Sequence, residues 1–328
     1  MKRLGSIAGV LLVFVLSAVS LAVIYDKGKD QKPLRYADVP QETIDWINSI
    51  GNGLDDIISS FDPLPRPTPW NNDGDLGQDP DTGFRTLEDD LFIFYFPESI
   101  KKEAYTCQEL AHKAIPRLED IVGKYYYPDD MNGRKVSIYL TTGQDAFEDL
   151  MEMMHVGRKD LKTVAGITIQ EISPSGYFLK AIALNGHFTL RAKKDYKRHV
   201  LWHEMTHYCF FASVDYNRQG SLPMWCYEGI AEYTSLPGEK PQFSQKEIEM
   251  MRKDCRFTDS YFPYVFENYQ GGQSIFCYME DKHSITGVKN FLKSTYTAGV
   301  PSAMKATLSK TVQEFETEWK SNLNSFKR

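Results

Sequence analysis

The chain has 328 residues, which is enough for one large domain or two modest ones with a buried core. Its composition is that of a globular protein, with 42% hydrophobic and 25% charged residues. The formal net charge of −6 and the lack of a dense Lys/Arg stripe argue against a nucleic-acid-binding protein.

The N-terminus predicts a membrane segment. Lys2 and Arg3 precede an uncharged run from Gly5 to Ile24, which as a helix would span about 30 Å, the thickness of a bilayer's hydrocarbon core. The run is longer than the apolar stretch of most cleaved signal peptides, although small residues near its end also suit cleavage. We therefore predict that residues 1–25 form an uncleaved anchor, with a secreted form as the alternative. In both cases the remainder of a single-pass chain lies outside the cytoplasm.

Two segments separate the anchor from the main domain. Within residues 26–61, apolar side chains recur at helical spacing and predict a short helical juxtamembrane segment. Residues 62–84 contain five prolines together with many Asp, Asn and Gly residues. Such a composition buries too little apolar surface to offset the entropy of ordering, so it predicts a flexible linker.

Residues 85–328 are predicted to form one α+β domain, with a strand-rich first half and a helical second half. Apolar β-rich runs predict strands at 91–96, 136–141, 165–169 and 177–184. Helical periodicity predicts helices at 107–123, 146–154 and 194–211. The last helix should begin at a capping box of Thr311 and Glu314 and bury a stripe ending at Phe326.

The five cysteines, Cys107, Cys209, Cys226, Cys255 and Cys277, show no CxxC spacing, so a thiolate zinc site is not expected. An odd count leaves at least one thiol without an intrachain partner. We predict buried free thiols.

A metal-binding motif lies in the helix predicted at 194–211. His203 and His207 are four residues apart, so both imidazoles project from one helix face at the separation needed to bind one Zn²⁺. Glu204 lies about 100° round the helix and reaches a water on the metal without being a ligand. His199 lies about 12 Å along the axis from His207, too far to share the ion, so we predict a packed or ligand-orienting histidine. A catalytic zinc also needs a third protein ligand and an open fourth position.

The sequence WCYEGIAEY at residues 225–233 supplies that third ligand by resemblance. Together with HExxH it resembles the gluzincin zinc metallopeptidases, whose third ligand is the Glu of a W-x-x-E-G-x-A helix. The likeness to a peptidase MA-like domain extends over about three quarters of the chain through LFIFYFP, LEDIVG, VSIYL and QEFETEW. It implies a thermolysin-like catalytic architecture, one catalytic zinc and Glu228 as its third ligand. Glu232, one turn further along, is the expected partner of a ligand imidazole.

The resemblance also implies an oxyanion donor and a mode of substrate binding. In the related zinc aminopeptidases a Tyr in a Y-x-x-G block stabilises the oxyanion, and Tyr269-Gln270-Gly271-Gly272 fits that block, with Tyr233 as the reserve candidate. Those enzymes also carry a G-x-M-E-N segment before HExxH. No such segment occurs here, which favours an endopeptidase. The family architecture further implies that strand 177–184 pairs with an extended substrate.

The predicted function is hydrolysis of peptide bonds in a peptide or protein by a zinc-activated water. Zn²⁺ would be held by His203, His207 and Glu228, with Glu204 as general base and Tyr269 as oxyanion donor. The alternative is a non-catalytic, membrane-anchored binding or scaffold protein that retains a zinc site. The presence of Glu204 favours the enzyme, since a degenerate site usually loses its general base first. A third possibility is a metal-dependent hydrolase of another substrate.

Overall fold

The computed structural model describes residues 83–123, 135–156, 161–173, 176–214 and 221–328, without the side chains of 170–180. Contacts group Leu76–Glu171 and Tyr177–Arg328 into one compact unit, whose described residues are considered below. The predicted anchor, juxtamembrane helix and nearly all of the linker lie outside the described residues and stay predictions. Among the helices that are described, none combines the length and the hydropathy needed to cross a bilayer.

The described chain forms a mixed α/β fold with five strands and mostly helical remaining elements. The strands are β1 Arg85–Glu88, β2 Phe92–Phe96, β3 Val136–Leu140, β4 Gly166–Ser173 and β5 Gly176–Leu184. The helices are α1 Lys101–Ile121, α2 Gln144–Met153, α3 Gly186–Thr189, α4 Lys194–Ser213, α5 Met224–Ser235, α6 Gln245–Asp254, α7 Gly272–Leu308 and α8 Val312–Asn322. A π-helix, Glu267–Gly271, leads directly into α7, and 3-10 turns lie at Glu98–Ile100 and Leu323–Phe326.

The strands form one sheet in the order β1-β2-β3-β5-β4. β1 pairs antiparallel with β2, and β2–β3 and β3–β5 are parallel. The four predicted strands are confirmed, whereas β1 was missed because its sequence RTLE offers no apolar alternation. The prediction that strand 177–184 pairs with a substrate is wrong, because β5 lies between β3 and β4 and both its edges are used. β4 is the edge strand at this end of the described sheet.

The two faces of the sheet bury different side chains. Phe92, Phe94 and Phe96 alternate along β2 toward the main core, which α1 and α4 also line. On the opposite face Tyr95 stacks on Tyr139, with ring centroids 4.5 Å apart. A second, smaller cluster lies under α2 and is formed by Phe147, Leu150, Met151, Met154, Leu161, Ile169, Ala181 and Ala183.

Helices α4 and α5 are central. Every residue from 200 to 210 on α4 is buried, and α5 is buried almost throughout, as expected for helices enclosed on all sides. The Thr206 and Thr234 hydroxyls hydrogen-bond across the pair at 2.6 Å. Arg117 of α1 donates from Nε to the carbonyl of Thr234 at 2.9 Å, which satisfies a C-terminal carbonyl of α5. The two helices are therefore fixed relative to each other by packing and by polar contacts.

Helices α5 and α7 cross at two glycines. A Cβ built on Gly229 would lie 2.5 Å from the carbonyl carbon of Gly272, and one on Gly272 would lie 2.6 Å from the carbonyl oxygen of Trp225. No side chain fits at either position, so the glycine of the EGIA sequence is explained by this close approach. The contact sets where the π-helix before α7 lies relative to α5.

Helix α8 confirms the predicted capping box. Thr311 Oγ1 accepts from Glu314 N at 3.2 Å, and Glu314 Oε2 accepts from Thr311 N at 2.7 Å. The helix ends at Asn322, before the end of the predicted stripe, and a 3-10 turn continues to Phe326, so all the stripe residues are still buried.

All five cysteines are buried and unpaired, which confirms the prediction of free thiols. Burial raises the pKa of Cys107 and of Cys277 to about 12. These groups are therefore protonated at neutral pH, and their thiols are poor nucleophiles and poor metal ligands.

Candidate metal centre

Two facing helices each supply two polar side chains one turn apart. His203 and His207 project from α4, and Glu228 and Glu232 project from α5. All four are buried, with 7% of each residue exposed. Since the i, i+4 spacing places each pair on one helix face, the packing of α4 on α5 brings the two pairs together.

Three donor atoms converge at one point. His203 Nε2 and His207 Nε2 lie 3.0 Å apart, and Glu228 Oε2 lies 3.2 Å from the first and 3.3 Å from the second. Ligands arranged tetrahedrally at the usual zinc distances of about 2.0–2.1 Å would lie about 3.3 Å from one another. The three atoms therefore already have the mutual spacing of three corners of a tetrahedral zinc site.

The electrostatics of the cluster favour a cation. Burial acts to raise the pKa of Glu228, but the His207 and His203 imidazoles outweigh it and hold that pKa well below its usual range. Burial also opposes ionisation of Glu232, yet hydrogen bonds from His199 and His203 lower its pKa to about 2. Burial would lower the pKa of His203, whereas the two carboxylates raise it well above 6.5. Glu228, at the point where the two Nε2 atoms meet, and Glu232, on the Nδ1 side of His203, thus both stabilise positive charge on this cluster.

Glu232 contacts one of the predicted ligand imidazoles. Its Oε1 lies 3.0 Å from His203 Nδ1 and 3.1 Å from His199 Nε2, so it bridges two histidines of α4. A carboxylate on Nδ1 holds the ring so that Nε2 is free to bind a metal. The sequence predicted that Glu232 contacts a ligand imidazole, and Glu232 does contact His203. It also predicted that His199 is a packed or ligand-orienting histidine, and the bond between His199 and Glu232 agrees with that prediction.

His207 is surrounded by aromatic rings instead. Its ring centroid lies 6.0 Å from that of Phe211 and 5.9 Å from that of Tyr227. Tyr227 directly precedes Glu228, so α5 supplies both a predicted ligand carboxylate and an aromatic ring beside the second imidazole.

The predicted general base lies against the edge strand β4. Thr168 Oγ1 is 2.9 Å from Glu204 Oε2 and 2.8 Å from the backbone oxygen of Glu204. A Cβ on Gly166 would lie 2.8 Å from Glu204 Cγ, so glycine leaves room for the Glu204 side chain. Sequence reasoning missed both β4 residues, because nothing in their local pattern indicates a contact with a helix more than 30 positions away.

The predicted oxyanion donor also lies at the centre. The half-buried Tyr269 ring stacks on His203 with centroids 5.7 Å apart and planes 8° from parallel. The reserve candidate Tyr233 instead contacts Arg117, whose guanidinium carbon is 5.7 Å from the ring, and Phe276. Of the two tyrosines, Tyr269 is the one that stacks on a predicted ligand.

Comparisons with known proteins return distant likenesses. No protein-family model and no curated protein matches the chain. An M1 zinc metallopeptidase from Deinococcus radiodurans is 14% identical, with a TM-score of 0.38 over 72% of this chain and 51% of that one. A variant of a two-domain M1 zinc metallopeptidase bound to L-arginine is 15% identical, with the same TM-score and coverage. The chain therefore spans about half the length of these structures. Because the likeness is slight, the function is argued below from the geometry of the site.

Proposed function

We propose that the protein is a zinc-dependent metallopeptidase, and that it cleaves peptide bonds within a chain rather than at its end. The observation that carries the proposal is the convergence of His203 Nε2, His207 Nε2 and Glu228 Oε2 within 3.0–3.3 Å of one another. Two imidazoles and one carboxylate form the ligand set of many catalytic zinc sites, which keep a fourth position for water.

Zinc bound by these residues would lower the pKa of a water molecule and polarise the substrate carbonyl. Glu204, which directly follows His203 on α4, is buried and carries a carboxylate able to accept the proton of that water. The same carboxyl can then protonate the leaving amine. Tyr269 supplies a phenolic O–H on the face of His203, where it can donate to the developing oxyanion.

An extended substrate has one strand edge to pair with beside this centre. β4 is the edge strand, and its residues Gly166 and Thr168 contact Glu204. A peptide added to β4 would run past the general base as an additional strand. The sequence carries no G-x-M-E-N segment before HExxH, which favours cleavage within a chain.

The test uses the full-length protein purified in mild detergent. We expect about one zinc per chain by plasma mass spectrometry, and cleavage of N-acetylated, C-amidated peptides that stops on addition of a chelator. Glu204→Gln should keep the zinc and lose about 10²–10⁴-fold in kcat, whereas His203→Ala should lose the metal. Firm zinc binding without cleavage of any peptide would instead support the binding or scaffold protein.

We further propose that the enzyme is held at the extracytoplasmic face by residues 1–25. The support is the uncharged run after Lys2 and Arg3. The full chain should fractionate with membranes and be degraded by protease added from the extracytoplasmic side. Recovery of the full chain in the soluble cytoplasmic fraction would contradict this placement.

A further inference from the structure

Strand β4 presents two residues to the general base. Residues 166 and 168 share one side of the strand, because side chains alternate along it. Ile167 and Ile169 turn to the other side and pack with the cluster under α2. Gly166 leaves space beside Glu204 Cγ, and Thr168 places a hydroxyl 2.9 Å from Glu204 Oε2. The strand therefore both accommodates and contacts the same carboxylate.

The Thr168 hydroxyl can donate one hydrogen bond, and two oxygens of Glu204 lie close enough to accept it. One is the carboxylate Oε2 at 2.9 Å, and the other is the backbone oxygen at 2.8 Å. The backbone oxygen lies inside α4, where the amide four residues on can already bond it. A carboxylate oxygen is a stronger acceptor than a backbone carbonyl already bonded within a helix, so the hydroxyl donates its hydrogen bond to Oε2.

We propose that Thr168 is a positioning residue for the general base. Its hydroxyl holds Oε2 of Glu204 and leaves Oε1, which lies beside Gly166, for the water that Glu204 deprotonates. Glu204 has three rotatable side-chain bonds, and at 7% exposure its carboxylate has little access to solvent partners. Among the described residues, Thr168 is the one whose side chain hydrogen-bonds this carboxylate. The role rests on the proposed peptidase function, whereas the contact itself does not.

The kinetic test compares three substitutions in the full-length, zinc-loaded protein. Thr168→Val removes the hydroxyl at nearly constant volume, and we expect kcat to fall about 10- to 100-fold, the loss that matches one hydrogen bond to a charged group. KM should stay within about twofold and zinc content should not change, because neither substrate pairing nor a ligand is altered. Thr168→Ser keeps the donor and should retain most of the activity. Met151→Leu, which alters the cluster under α2 and leaves β4 itself unchanged, should behave like the wild type.

A structural readout separates failure of the positioning role from failure of the peptidase function. In crystals of the Thr168→Val protein, the Glu204 carboxylate should occupy a shifted or a second conformer, while wild type and Thr168→Ser show one. The inference is overturned if Glu204 keeps its wild-type conformer in Thr168→Val, or if kcat stays within twofold. It is also overturned if Met151→Leu loses as much activity as Thr168→Val. If the wild type cuts no peptide but the Glu204 carboxylate changes conformer in the Thr168→Val protein, the proposed peptidase function is refuted, whereas the positioning of Glu204 by Thr168 is supported.

Discussion

Glu267, at the start of the π-helix, is a buried carboxyl whose ionisation should cost stability. It is 0% exposed, Oε2 accepts from Tyr264 N at 3.1 Å, and Oε1 has no hydrogen-bond partner among the described residues. Burial raises the pKa of Glu267 from 4.5 to about 7, and the nearby Asp254 carboxylate acts in the same direction. The Tyr264 amide and the Cys255 thiol oppose the rise without cancelling it.

The sign follows from the raised pKa. A carboxyl whose pKa is higher in the folded than in the unfolded chain contributes stability below pH 4.5, and that contribution is lost as the pH rises through about 7. At about 1.4 kcal/mol for each tenfold change in proton affinity, the ionised form costs at most about 3 kcal/mol. Glu267→Gln keeps the acceptor for Tyr264 N and cannot ionise. As the pH rises from 5 to 8, the free energy of unfolding of the variant should therefore increase by about 2 to 3 kcal/mol relative to that of the wild type.

The measurement is urea unfolding of the full-length protein and the variant at pH 5, 6, 7 and 8. Glu249→Gln on the exposed side of α6 changes the net charge equally and serves as the control. It should leave the pH dependence as in the wild type. Parallel stability curves for wild type and Glu267→Gln would refute the reasoning, since they would show that Glu267 titrates alike in the folded and unfolded chains.

Three further predictions concern the metal centre and its supports. Gly166→Ala places a Cβ 2.8 Å from the general base and should lower kcat at least tenfold at unchanged zinc content, measured by peptide cleavage and mass spectrometry. Glu232→Gln weakens the hold on a ligand imidazole and should lower zinc affinity about 10- to 100-fold in chelator competition. Gly229→Ala forces a Cβ to within 2.5 Å of Gly272 and should destabilise the fold by about 1–3 kcal/mol or more in thermal unfolding.

Each of these has an outcome that contradicts it. Normal turnover by Gly166→Ala would mean that β4 shifts to accommodate the new methyl group without displacing the Glu204 carboxylate. Unchanged chelator resistance of Glu232→Gln would show that its histidine contacts do not support metal binding. A Gly229→Ala protein as stable as wild type would mean that α5 and α7 separate freely.

The parts of the site that the sequence predicted depend on local periodicity. His203 with His207, and Glu228 with Glu232, are pairs at i, i+4, so each pair's common face follows from helix geometry alone. That the two faces meet was inferred from a family resemblance, and the structure brings their atoms together. The role of zinc at this point stays a proposal.

The parts that sequence reasoning missed depend on strand order. An apolar run predicts a strand but does not say which strand lies at the sheet edge, so the substrate-pairing role fell on 177–184 rather than on β4. The contact of Thr168 with Glu204 joins residues 36 apart and has no local signal. The contact of Gly166 with Glu204 was likewise not predictable, because a lone glycine in a strand indicates a bulge or a close approach but does not identify the neighbouring residue.

The crossing of α5 and α7 couples the position of the predicted third ligand to that of the predicted oxyanion donor. Gly229 directly follows the predicted ligand Glu228, and Gly272 follows the π-helix that carries Tyr269, so one backbone contact fixes the positions of both residues. A shift of α7 would move the phenol and push on the third ligand together, and neither could be retuned alone.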